Sequence, residues 1–257
     1  MTKALGYVQK LTLHDVRWFT LIFSGYALKN ISVLDIKVAP KESRDFRMLS
    51  TLRETEKLKE LSLIFQADSV QIENQFLEEF RLPGSLEKIC LTLVNFQWDE
   101  VELTKANWKT IQEKFDENFF FLQWKCLKKL KAFHLTIKED SLTSKRCPKL
   151  AGNFASRIFR HIDGLRKIEF THSLSQFQLP KKKKITLPVK PLDFEEFWKA
   201  LEGSKNTLQT LIIDAPEIAF PVKMSSVENK FPRLKKFSLG KSSLGKGFGV
   251  FLECIQK

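Results

Sequence analysis

The sequence contains no run of about 18 apolar residues, so no helical segment is expected to cross a membrane. Its first residues, Met1-Thr2-Lys3-Ala4-Leu5, lead into alternating Lys, Thr and His, so no secretory leader is expected. Only four cysteines occur (Cys90, Cys126, Cys147 and Cys254), and no two have C-x-x-C spacing. That pattern fits neither a disulfide frame nor a zinc ribbon, and it points to reduced thiols in an intracellular protein, cytoplasmic or nuclear. The four histidines (His14, His134, His161, His172) are scattered, and H-x-x-x-H, H-E-x-x-H and G-x-S-x-G are all missing. No catalytic residue, metal ligand or cofactor is therefore expected. A doubly wound nucleotide fold would need continuous apolar strands and a glycine-rich first turn, and the chain has neither.

What it does have is a globular composition and an uneven charge. The 257 residues are 43% hydrophobic, enough for a continuous core. Lys and Arg number 43 against 30 Asp and Glu, a net charge of +13. Residues 1–124 hold 16 basic and 18 acidic side chains, and residues 125–257 hold 27 and 12. The second half thus carries the whole excess, which points to an acidic partner such as RNA or else to a solvated surface. The densest runs are Lys125-Lys128-Lys129-Lys131, Lys181-Lys182-Lys183-Lys184 and Lys230-Arg233-Lys235. Pro180, Pro188 and Pro191 bracket the second run, so Lys181, Lys182, Lys183 and Lys184 are expected on a projecting loop able to contact an anionic partner. Lysine predominates in these runs, which favours sequence-independent attraction to phosphate over bidentate base reading.

A short pattern, apolar-x-x-apolar-x-apolar, recurs eight times. The copies are Val8-x-x-Leu11-x-Leu13, Ile31-x-x-Leu34-x-Ile36, Leu58-x-x-Leu61-x-Leu63 and Leu86-x-x-Ile89-x-Leu91 in the first half. The second half has Leu130-x-x-Phe133-x-Leu135, Leu165-x-x-Ile168-x-Phe170, Leu208-x-x-Leu211-x-Ile213 and Leu234-x-x-Phe237-x-Leu239. Each copy ends in the period-two alternation of a half-buried strand. Several linkers have helical spacing instead. Asp193 is placed as an N-cap with Glu196 three residues on, and Phe194, Phe197, Trp198 and Leu201 share one face. Similar stripes start at Ser69, at Thr104 (Trp108, Ile111, Phe115, Phe119, Leu122) and at Pro148 (Leu150, Phe154, Ile158, Ile162). The 23 phenylalanines against two tyrosines fit a dry core, since a buried hydroxyl would need a partner.

Strand, turn, helix and strand, repeated in one direction, make a solenoid. From about Val8 to Leu239 the chain resembles the leucine-rich repeat family, in its long-repeat, helix-bearing intracellular branch, which includes F-box-type receptors and ribonuclease-inhibitor-like proteins. It departs from that pattern in lacking most of the Asn or Cys that follows each strand and in its long inserts near 92–126, 136–164 and 171–207. No F-box is evident. The resemblance implies an α/β fold: one horseshoe solenoid over residues 1–257, with parallel strands on the concave side and helices on the convex side. It also implies a non-enzymatic scaffold or adaptor for protein–protein interaction. The last apolar stretch, through Phe251, Leu252 and Ile255, has no polar cap, so either the protein extends further or this end meets a partner.

In that architecture the residues flanking each strand's buried positions line the binding face. Those expected to contact a protein are Thr12, His14, Asp35, Lys37, Glu60, Ser62, Lys88, Thr92, His134, Lys167, Glu169, Asp214 and Lys236. The 24 projected positions hold five Lys and four Asp or Glu and no aromatic residue. The runner-up expectation is a basic accessory subunit of a ribonucleoprotein or other large assembly, contacting RNA phosphates through the second-half lysines. One further motif, Gly240-Lys241-Ser242-Ser243-Leu244-Gly245-Lys246, has phosphate-loop spacing, but Gly247 follows where a Mg²⁺-binding hydroxyl is required, so it is read as a flexible turn.

Overall fold

A computed structural model describes residues 8–14, 30–38, 52, 55–66, 82–94, 127–140, 155–156, 158–175, 192–220, 231–240 and 243–244. The expected helices beginning at Ser69 and Thr104 and the Lys181–Lys184 run lie outside these residues, as do Leu150 and Phe154 of the stripe that opens at Pro148. The chain divides into two compact units, Met1–Leu130 and Lys131–Lys257.

The first unit holds four parallel strands: β1 (Lys10–Leu13), β2 (Val33–Val38), β3 (Glu60–Gln66) and β4 (Lys88–Val94). The repeat sets their register. Leu11 lies opposite Leu34, Leu34 opposite Leu61, and Leu61 opposite Ile89. Because side chains alternate along a strand, this register aligns every apolar position on one face. Leu34, Ile36, Leu61, Leu63, Ile89 and Leu91 are all buried there. The leading residues Leu58 and Leu86 close the turns before β3 and β4, through N–H bonds to Thr55 O and Pro83 O, and Ile31, Leu58 and Leu86 are buried.

The second unit repeats this plan with β5 (Ala132–Asp140), β6 (Lys167–Ser175), β8 (Thr210–Asp214) and β10 (Lys236–Leu239). Phe133 faces Ile168, Ile168 faces Leu211, and Leu211 faces Phe237. All eight sequence copies are thus parallel strands, each aligned with its neighbour within the unit at equivalent repeat positions.

One backbone device recurs at the start of the strands. The carbonyl just before a strand accepts two successive N–H groups from the next repeat. Gln9 O receives Ser32 N and Val33 N, Ser32 O receives Lys59 N and Glu60 N, and Lys59 O receives Glu87 N and Lys88 N. Lys131, Arg166 and Gln209 do the same in the second unit, at 2.8–3.0 Å. Hydroxyl groups add clips between repeats. Ser85 Oγ donates to Leu58 O at 2.7 Å, and Thr207 Oγ1 donates to Leu165 O at 2.9 Å.

The helix α1 (Phe194–Ala200) begins where the sequence places it. Asp193 Oδ1 accepts the Glu196 N–H at 3.1 Å, Glu195 and Glu196 occupy the positive first turn, and Lys199 closes the last turn, paired with Glu195 at 2.6 Å. Phe194, Phe197, Trp198 and Leu201 are buried. Ile158 and Ile162, from the stripe opened at Pro148, are buried too, and Ala155, Ser156 and Ile158–Arg160 have helical backbone.

Phenylalanine fills the core of the second unit. Phe159 packs edge-on against Phe133 (centroids 5.6 Å) and Phe197 (5.5 Å), and Phe194 meets Phe220 at 4.5 Å and stacks on Trp198 at 5.3 Å. Each such pair adds about 0.5–1.5 kcal/mol beyond area burial.

Two features go beyond the repeat pattern. Strands β5 and β6 run to Asp140 and Ser175, into stretches expected as inserts. A second small parallel sheet joins β7 (Leu192–Asp193), β9 (Glu217–Ala219) and β11 (Ser243–Leu244).

Candidate functional site

The outward side of each four-strand array carries the residues expected to bind. In the first unit Thr12, Asp35, Ser62 and Cys90 form one row across the strands, and Lys10, Val33, Glu60 and Lys88 form another. Lys37, Ile64 and Thr92 form a third. Thr12, His14 and Lys37 are exposed, while Asp35, Glu60, Ser62, Lys88 and Thr92 are half-buried. In the second unit His134 lies opposite Glu169, and Lys167 opposite Thr210, which is opposite Lys236. His134, Lys167 and Glu169 are half-buried, whereas Asp214 and Lys236 are exposed. The anionic-contact residues Lys181, Lys182, Lys183 and Lys184 lie outside the described residues.

Charges on this face are largely matched across strands. Lys88 Nζ is 3.0 Å from Glu60 Oε2, and Lys10 Nζ is 3.9 Å from Asp35 Oδ2, which also accepts from Thr12 Oγ1 at 3.4 Å. In the second unit Glu169 links two neighbours, with Oε2 2.9 Å from His134 Nδ1 and Oε1 2.7 Å from Lys167 Nζ. Such half-exposed pairs add little to stability. Ile64, 37% exposed, is the one large hydrophobic residue exposed among the described residues. It sits between Lys37 and Thr92, the single apolar handle on an otherwise polar row.

The edge where the strands begin differs sharply between units. In the first unit it is a mixed, polar groove of about 650 Å³, with Glu56 and Glu87 interleaved among Lys57, Lys59 and Lys129. Three of its charges are engaged locally: Lys59 Nζ lies 3.9 Å from Glu87 Oε1, and Lys57 Nζ donates to Asn30 Oδ1 at 2.7 Å. In the second unit the position just before each strand is Lys131, Arg166, Gln209 and Lys235. Lys131, Arg166 and Lys235 are exposed, and Arg233 and Lys236 add to the same edge. Charge runs along the sequence single out Lys131, Arg233 and Lys235 but pass over Arg166, because only strand pairing brings Arg166 between the carbonyl rows of Lys131 and Gln209.

Of the glycine-rich stretch, Gly240, Ser243 and Leu244 lie among the described residues. Ser243 and Leu244 are in strand β11, paired with Glu217 and Ile218. The Asp214 carboxyl group fills the space where a side chain at Gly240 would begin, and Gly240 N donates to Ile213 O at 2.7 Å. A carboxylate so close to the first glycine repels a phosphate. Among the described residues no group of three or more His, Cys, Asp or Glu side chains is placed to hold a metal, and no helix is long and apolar enough to cross a membrane.

Compared with models of protein families, with curated proteins and with solved structures, the chain matches none.

Proposed function

We propose that the chain is a leucine-rich-repeat solenoid, a horseshoe with its strands on the concave side. We further propose that it works as a non-enzymatic scaffold or adaptor, docking a protein on the strand face. The observation that carries this reading is the register. Within each unit equivalent positions of successive repeats lie opposite one another, from Leu11 through Ile89 and from Phe133 through Phe237. Such a register displays rows of side chains from many repeats at a spacing of about 4.8 Å, an extended surface of the kind solenoids use for binding. The paired polar rows and the single apolar handle at Ile64 suit recognition of a protein surface better than chemistry on a small substrate.

The test is affinity purification with the whole chain and with a strand-face variant, Lys37→Glu with Ile64→Glu. A partner retained by the unaltered chain and by an edge variant (Lys57→Gln with Lys59→Gln), but lost from the strand-face variant, supports the reading. A partner retained equally by all three places docking elsewhere and removes the strand face from the account. A second reading, a basic accessory subunit of a ribonucleoprotein or other large assembly, is favoured by the basic strand-start edge of the second unit.

A further inference from the structure

We infer that the strand-start edge of the second unit is a binding track for a single-stranded phosphodiester chain, held by Lys131, Arg166, Arg233, Lys235 and Lys236. Residues 131–257 hold 24 basic and 12 acidic side chains, and the fold gathers five of those bases along one edge. Lys131, Arg166, Gln209 and Lys235 occupy the same repeat position on four neighbouring parallel strands. Three steps of about 4.8 Å make a row about 14 Å long, so the row spans about four phosphates at the 3.4 Å per-strand rise of stacked nucleotides. In the turns leading into β6, β8 and β10, from 163, 206 and 232 to each strand's first residue, Asp163 is the one acidic side chain. The equivalent row of the first unit is Gln9, Ser32, Lys59 and Glu87, and it pairs Lys59 with Glu87. The difference between the units is therefore one of placement as well as of net charge.

The chemistry of the row selects its ligand. A protein partner needs apolar or aromatic anchors seated in pockets. Of the leading leucines of this edge, Leu165 and Leu208 are buried under the turns and Leu234 is half-buried, so none stands out as an exposed anchor. A duplex holds its phosphates on two rigid helical strands, so a straight edge meets few of them in succession, whereas a flexible single strand can lay its phosphates along the row. No aromatic side chain stands in the row, so bases have no platform and contact is confined to phosphate. Binding should then be blind to base and to sugar and strongly dependent on salt.

The experiment uses the whole chain and a fluorescein-labelled strand of twenty uridines, with anisotropy read across a series of KCl concentrations. Four phosphate contacts predict a log–log slope of about −3. The triple variant Arg166→Gln, Lys235→Gln, Lys236→Gln alters only exposed side chains. It should weaken binding by about tenfold or more and reduce the slope by about 2. The first-unit control, Lys57→Gln with Lys59→Gln, should change neither. Thermal melts establish that both variants are folded. A strand of twenty thymidines should bind within a few-fold of the uridine strand. Unchanged affinity and slope in the triple variant would overturn the inference. So would a large preference for one sugar, or tighter binding to polyglutamate or to phosphatidylserine vesicles.

Discussion

Ser204 Oγ accepts the Leu165 backbone N–H at 3.1 Å, joining the turn after helix α1 to the turn before strand β6. The same hydroxyl donates to Ile162 O at 3.4 Å, and Ser204 is 1% exposed. One buried hydroxyl therefore satisfies backbone groups of the preceding repeat. Ser204→Ala leaves a buried N–H without this acceptor and should cost about 1–3 kcal/mol. Urea unfolding followed by circular dichroism measures it. A loss below about 0.5 kcal/mol would mean that water or a shifted backbone replaces the hydroxyl.

Leu211 lies at the centre of the second unit's apolar row, between Ile168 and Phe237, and is fully buried. Leu211→Ala should cost about 2–5 kcal/mol by loss of transfer energy and cavity formation. Lys236→Thr, exposed at the start of the neighbouring strand, should stay within about 0.5 kcal/mol. Equal costs at the two positions would contradict the assigned faces.

Gly240 is required by its neighbour. A Cβ there would collide with the Asp214 side chain as far back as its own Cβ. Rotating the carboxyl group away cannot relieve all of that contact. Gly240→Ala should destabilise the chain by about 1–3 kcal/mol through overpacking. Adding Asp214→Gly in the same chain should recover most of the loss, which a double-mutant cycle in urea would register as coupling. Additive costs would show that Gly240 is needed for some other reason.

The eight strands were legible because the repeat encodes register directly. A leucine that closes a turn fixes where the strand begins, and the alternating pair after it fixes which side is buried. Helix α1 was equally readable from Asp193, Glu196 and the stripe of aromatics. Strands β7, β9 and β11 were not, since two or three residues carry no periodicity and their pairing depends on segments distant in sequence. The length of β5 and β6 was also missed. Lys138 and His172 follow the repeat cores with polar character, and it is the partner strand that keeps them extended. The charge excess could be located in the second half from composition alone. Its alignment could not, because Arg166 joins the basic row only through hydrogen bonds to Lys131 on one side and Gln209 on the other.

Successive copies of the repeat stand opposite one another in parallel strands, and the native Cys90 offers a chemical probe of that register. Cys90 lies opposite Ser62, and both are half-buried on the outward face. Neighbouring strands are about 4.8 Å apart, within the Cα separation a disulfide spans. Ser62→Cys should therefore crosslink to Cys90 under mild oxidation, whereas Ile64→Cys, two residues further along β3, should not. Peptide mapping by mass spectrometry identifies the linked pair. A peptide joining positions 62 and 90 is expected in high yield and none joining 64 and 90; the reverse yields, or no crosslink from either variant, would refute the register.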